Sequence, residues 1–284
     1  MQRIILLMHC TDQKGIIAAA TNFIHNEKGN IVYIDQYVDR LNEAFFMRIE
    51  VESTDQNIDF NTFKEKFISG IGSKYDLNCS FFLQNQRPKL AVFVSKYAHC
   101  LYDILAQKQS GELQCEIPFI LSNHQDLASI AEQFDIPFYW IPVTKKNKAE
   151  ATSQQLNLLK KHHITSIVLA RYMQILPEQL VQEYPNKIIN IHHSFLPAFP
   201  GAKPYHSAFE RGVKIIGATS HYVTDDLDAG PIIEQDTSRV SHAHGVSDFI
   251  SKGRDLERLV LLRAIKLHTE RKVMVFNNKT VVFT

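Results

Sequence analysis

The sequence predicts two units in tandem: a small α+β unit of order βαββαβ, then a larger, doubly wound and mostly parallel α/β unit. Three observations carry this reading. Phe45, Met47, Ile49 and Val51 alternate with more polar neighbours, the period of a half-buried strand, between stretches whose apolar residues recur at helical spacing. A polar connector, LQNQRPK, ends that pattern at Pro88. Beyond it, short apolar runs alternate with helical stretches, as parallel strands covered on both faces require. The boundaries follow as residues 1–84, a linker at 85–88, and residues 89–284.

Each element of the first unit has its own signal. RIILLMH is an apolar strand, and TDQKG after it offers Thr11 or Asp12 as a helix N-cap. Ile16, Ala20 and Phe23, with Ala19 and Ile24 beside them, form one buried helix face, and Gly29 is expected to stop the helix. NIVYIDQYVD and AFFMRIEVE make two strands around the polar turn DRLNE. Phe60, Phe63, Phe67 and Ile71 mark a second helix, and NCSFFL a fourth strand. The pattern gives an antiparallel sheet with both helices on one face.

In the second unit LAVFVS, IPFILS, PFYWIP, TSIVLA, KIINIH and IIGATSHYV are the strand candidates. Helices are expected from near His99, Asp126, Glu150 and Pro177, and VMVFNNKTVVF reads as a hairpin around Asn277-Asn278. A chain of 284 residues with 45% hydrophobic and 21% charged residues can bury a sizeable core. Its net charge of +1 gives no general footprint for nucleic acid or an anionic membrane. The initial apolar run is too short for a signal peptide, and no stretch approaches a membrane span. Cys10, Cys79, Cys100 and Cys115 lack CxxC spacing and read as reduced thiols of a cytoplasmic protein.

In a doubly wound sheet, ligands bind outside the carboxyl ends of the strands, so the loops after SIVLA, IINIH and GATSHYV are the places for chemistry. Asn190 and His192 are two apart on one strand and point the same way, whereas His193 is expected to face the opposite side. HYVTDDLDAGP adds Asp225, Asp226 and Asp228 in a loop. An amide, an imidazole and a carboxylate converging there suit acyl chemistry: donors for a developing oxyanion and an acid to hold or deprotonate a nucleophile. A metal is not expected, because neither HExxH nor a zinc-like His/Cys spacing is present.

Two resemblances sharpen this reading. CTDQKGIIAAATNFIHNEKGNIVYIDQYV resembles the opening of an ACT domain, a ferredoxin-like fold, with Asp12, Gly15 and Asn30 at its characteristic loop and strand positions. ACT domains bind amino acids and pair with one another, which implies an amino-acid effector, glycine or methionine being the natural guesses, and a homo-oligomer, a dimer or tetramer. NIHHSFLPAFPGAKPYHSAFERG with IGATSHYVTDDLDAGPII resembles the folate-dependent formyltransferase family. That resemblance implies a catalytic trio of Asn190, His192 and Asp228, demotes Asp225 and Asp226, and places His221 beside the site. It further implies a pterin pocket along ARYMQIL, at Met173, Gln174, Ile175 and Leu176, closed by the loop from Val223 to Asp228. Lys203, Tyr205 and His206 are implied to touch the substrate or the acceptor side.

The family divides by where the formyl group goes. The loop after the first strand here, SKYAHCLYDIL, lacks the glycines that cradle an acceptor's phosphate in one branch. The nucleic-acid-binding extension of another is not expected either. An ACT domain before this catalytic region resembles the hydrolytic branch. The implied reaction is hydrolysis of 10-formyltetrahydrofolate to formate and tetrahydrofolate, with no cofactor, the formate serving purine synthesis. Asp228 activates water in that reading, Asn190 and His192 stabilise the oxyanion, and Tyr97, His99 and Tyr205 seat water where a transferase seats an amine. The alternative is formyl transfer to an unidentified amine.

Overall fold

The computed structural model describes residues 3–53, 59–198 and 204–284. In the first unit β1 (Arg3–Thr11) is apolar along its length and lies in the middle of its sheet. It pairs antiparallel with β3 (Ala44–Ser53) and with β4 (Asn78–Leu83), and β2 (Gly29–Asp39) adds to β3, giving the order β2-β3-β1-β4. Leu6, Met8, Met47 and Ile49 meet Ile16, Ala20 and Ile24 of α1 (Ile16–Asn26) and Phe63 and Phe67 of α2 (Phe60–Phe67) in one core. A π turn, Ile68–Gly72, continues α2 into the single turn α3 (Ser73–Tyr75).

Both ends of α1 differ from expectation. Neither Thr11 nor Asp12 caps it; Gly15 does, at φ 93° and without a side-chain bond, a backbone conformation that glycine adopts freely. At the other end Lys28 takes the left-handed position, at φ 59°. Gly29 is already in β2, where a Cβ would lie 2.6 Å from Val51 Cγ1 and 2.9 Å from Ile24 Cγ2. Its smallness serves helix-to-sheet packing, not helix termination.

The C-terminal hairpin, β12 (Val273–Phe276) and β13 (Lys279–Val282), turns through Asn277 and Asn278, both at positive φ (47° and 57°), the expected hairpin chemistry. Residues 270–274 and 281–284 belong with the first unit, so that unit is not confined to residues 1–84. Arg48, 1% exposed, shows why. Its Nε donates to the carbonyl of Arg271 at 2.9 Å, and its Nη2 to Glu50 Oε1 at 2.6 Å and to the carbonyl of Glu270 at 3.2 Å.

The second unit runs β5 (Lys89–Val94), α4 (His99–Gln109), β6 (Glu116–Ser122), α5 (Ala128–Gln133), β7 (Phe138–Trp140), α6 (Lys148–Lys161), β8 (Ser166–Ala170), α7 (Glu178–Glu183), β9 (Ile188–His192), α8 (Pro204–Glu210), β10 (Ile215–Tyr222), β11 (Ile232–Arg239) and α9 (Val246–Thr269). Its seven-stranded sheet has the order β11-β10-β9-β8-β5-β6-β7. β7 through β9 are parallel, and the order reverses between β5 and β8. Phe93, Phe119, Leu121 and Leu169 pack with Leu156, Leu159 and Leu180 on one side of the sheet. α9 buries Phe249, Leu256, Val260 and Ile265. The predicted elements do not include α8, β11 or α9. No helix among the described residues is long and apolar enough to cross a membrane.

IIGATSHYV departs from the parallel expectation, since β10 runs antiparallel to β9. The registers set His221 opposite Asn190 and Thr219 opposite His192. Directly opposed residues share a sheet face, so Asn190, His192 and His221 project together.

Candidate active site

Strand pairing puts the amide and both imidazoles on one surface. His221, 2% exposed, aims Nδ1 at the carbonyl of Tyr222, 2.9 Å away, and only an N–H satisfies that contact. Its Nε2 is thereby an acceptor and receives the Asn190 amide at 3.2 Å. The Asn190 amide is held in this way at the wall of a cavity.

The loop from Val223 to Pro231 brings the carboxylate. Gly230 makes the return possible: a Cβ there would sit 1.8 Å from the Tyr222 carbonyl oxygen. Asp228 stands at φ 55°, a left-handed conformation that side chains other than Asn and Asp seldom take. Its Oδ2 lies 3.2 Å from His192 Nδ1 and its Oδ1 3.7 Å from His221 Nε2. The hydrogen bond from His192 holds the Asp228 carboxyl well below the usual carboxylate range, so it is ionised. Among the described residues His192 Nε2 has no partner, although it is buried. The imidazole is thus clamped by Nδ1 and presents Nε2 to whatever enters.

These groups line a cavity of about 620 Å³. Met173, Gln174, Ile175, Leu176, Val223 and His221 also line it, as do Asn190, His192 and Asp228. Met173 is 49% and Ile175 65% exposed, so neither serves the core; they form an apolar rim. Ser95 supports that segment: its hydroxyl accepts the Met173 N–H at 3.0 Å and donates to Asn123 Oδ1 at 2.6 Å. After β9 the chain turns through a cis Leu196–Pro197 peptide. Thr219 fixes this turn, donating to the Ser194 carbonyl at 2.9 Å and accepting the Leu196 N–H at 3.0 Å.

Other expectations fare differently. His193 does not face away from His192. It follows the last residue of β9, strand alternation no longer applies, and the two rings lie 5.2 Å apart and both line the cavity. Tyr205 is not in this cavity but in a second one beside it, with Tyr97, His99 and His206. Lys203 lies outside the described residues. Asp12 and Gly15 sit in the exposed loop before α1, where the Asp12 N–H bonds the Glu43 carbonyl at 2.7 Å. Asn30 is exposed on β2, opposite Glu52.

The sequence reading missed Arg171 and Glu257. Arg171 directly follows β8, and a charge at the end of an all-apolar strand was the signal available for it. Glu257, 1% exposed, accepts from Tyr205 Oη at 2.8 Å, is bonded to His99 Nε2 at 2.8 Å and lies 3.4 Å from Arg171 Nε. Burial pushes its carboxyl up, but the His99 bond and the Arg171 charge outweigh burial and leave it below its ordinary value. His99, Cys100 and Glu257 are close enough to converge on a cation. The neighbouring guanidinium opposes one, and burial pushes the Cys100 thiol up, away from the thiolate a metal needs.

The fold and this constellation define an enzyme domain of the formyl-transfer type behind a small ferredoxin-like domain, and the comparisons name the family of each. Residues 88–265 match the formyl transferase family and residues 4–59 the ACT domain family. A formyltetrahydrofolate deformylase of Synechocystis is 50% identical, with 98% of this chain and 97% of that protein aligned. One from Bacillus subtilis is 46% identical over 98% of this chain and 93% of its own. The crystal structure of a formyltetrahydrofolate deformylase from Pseudomonas syringae superposes with a TM-score of 0.97 at 45% identity, covering 100% of this chain and 95% of that one. This chain belongs to the formyltetrahydrofolate deformylase family.

Proposed function

We propose that this enzyme hydrolyses 10-formyltetrahydrofolate to formate and tetrahydrofolate, with Asn190, His192 and Asp228 as its catalytic residues. The observation that carries the reading is the arrangement of an ionised carboxylate, a clamped imidazole with a bare buried Nε2, and an oriented amide around one cavity. The apolar rim of Met173, Ile175 and Leu176, with Gln174 and Val223, suits the flat pterin ring.

Asp228 holds a water against the formyl carbon. Because the carboxylate is a weak base, the proton moves as the water oxygen bonds to carbon, when the water's acidity has risen. The formyl oxygen gains the electron pair of its π bond and is met by the Asn190 amide and by His192 Nε2 in its protonated form. Collapse of the tetrahedral intermediate breaks the C–N10 bond, and N10 takes up a proton as it leaves. One water is consumed, and the formic acid ionises to formate.

The test supplies 10-formyltetrahydrofolate without an amine, with and without chelator, beside Asp228→Asn, and follows both products. Equal release of formate and tetrahydrofolate, indifferent to chelator and reduced about 10²- to 10⁴-fold in the variant, supports the reading. Tight folate binding with turnover only on addition of an amine transfers the reading to a formyltransferase. At the ACT domain, the loop of Asp12 and Gly15 with Asn30 is our candidate for an amino-acid effector. A cytoplasmic homo-oligomer paired through these domains fits the same reading.

A further inference from the structure

Behind the catalytic cavity lies a second one, of about 270 Å³, and the two share Arg171 and His193 as a wall. It sits where the strand order of the large sheet reverses, between the segments that follow β5 and β8. That reversal is the general place for a ligand in such sheets. Three features there call for an anion. Arg171 is 9% exposed, and its buried Nε makes no hydrogen bond to any described residue; that nitrogen lies 3.4 Å from Glu257, and the guanidinium carbon 5.0 Å from the Tyr97 ring centre. A buried donor left unused is costly unless something accepts it. Arg254 lines the same cavity, with its guanidinium carbon 5.9 Å from the centre of the Tyr97 ring. α4 begins at His99 with no side chain capping its free N–H groups.

The charges do not cancel. Two guanidinium groups face one carboxylate, Glu257, which His99 and Tyr205 also engage. The remainder is positive and concave, and it adjoins the site that releases an anion.

We infer that this cavity receives a small carboxylate, and that its occupant is the formate cut from the folate, held by Arg171 and Arg254 on its way out. The anion class follows from the cavity alone; formate as the occupant rests on the hydrolytic reading. The folate's own glutamate carboxylates share this chemistry and are the competing source.

The test titrates ¹³C-formate into the folate-free enzyme and follows its NMR line width, with inorganic phosphate as the second probe. Saturable binding of formate, weakened about tenfold or more by Arg254→Gln, supports the inference. Arg254 is exposed on α9, and a melting curve checks that the variant is folded. Retained formate binding with tetrahydrofolate at saturation supports it further, because both products then fit together. Displacement of formate by tetrahydrofolate assigns the cavity to the glutamate tail and overturns it. So do binding of phosphate without formate, and formate binding indifferent to Arg254→Gln. The release assay separates the two readings. An enzyme that releases formate but does not bind it loses only the cavity. One that binds formate but releases none loses the hydrolytic reading, and formate with it as natural occupant.

Discussion

Asp228 is pinned from two directions: a left-handed backbone sets where it points, and His192 holds it ionised. The sign of its effect on stability follows. A carboxyl whose pKa falls on folding adds stability above its unfolded value and loses it as pH drops toward the folded one. The Tm gap between the parent and Asp228→Asn should therefore change as pH falls below about 4, where the parent loses the contribution of the ionised carboxyl. A gap that stays unchanged below about pH 4 would contradict the depressed pKa. Asn190 is held by His221 at 3.2 Å, and the proposed mechanism assigns its amide to the formyl oxygen. Asn190→Ala should lower kcat by about 10²- to 10³-fold with a small change in KM, the mark of a contact made mainly in the transition state. A change confined to KM would reassign Asn190 to ground-state binding. Asn190, His192 and Asp228 were marked in the sequence by motifs that resemble a known family, and the fold gathers them at one cavity. Arg171 and Glu257 were not legible, since their surroundings come from distant parts of the chain, such as the His99–Glu257 pair, 158 residues apart.

At the scale of elements, the antiparallel placement of β10 brings His221 to Asn190, and the loop after it returns Asp228 to His192. Gly230 is the hinge of that return. Gly230→Ala drives a Cβ into the Tyr222 carbonyl, a backbone group that cannot swing aside. We expect a loss of about 1–3 kcal/mol in urea unfolding and a fall in kcat larger than the loss of folded protein explains. Unchanged activity would mean that the loop tolerates another path. The direction of β10 was not readable from IIGATSHYV, because an apolar run buried on both faces looks the same in either orientation. α9 escaped for another reason. Its buried positions, from Phe249 to Ile265, keep helical spacing, but Arg254, Glu257 and Arg258 interleave them with charge.

Across the whole molecule, the first unit is completed by the far end of the chain. Arg48 is the link that can be tested: two of its partners are backbone carbonyls at Glu270 and Arg271, and its guanidinium carbon stands 4.8 Å from the centre of the Tyr33 ring. Arg48→Ala leaves those carbonyls without their donor and Glu50 paired with Arg3 but not Arg48, and should cost about 3–5 kcal/mol in urea unfolding. A cost below about 1 kcal/mol would place these contacts among ordinary surface pairs. By itself the sequence determined the two-unit order, most strands and helices, and the Asn-Asn turn of the last hairpin, because periodicity and turn chemistry are local properties. The tertiary structure alone decided which unit the last residues complete, which way β10 runs, and which buried charges surround the second cavity. Those depend on what packs against what, and spacing along the chain does not record it.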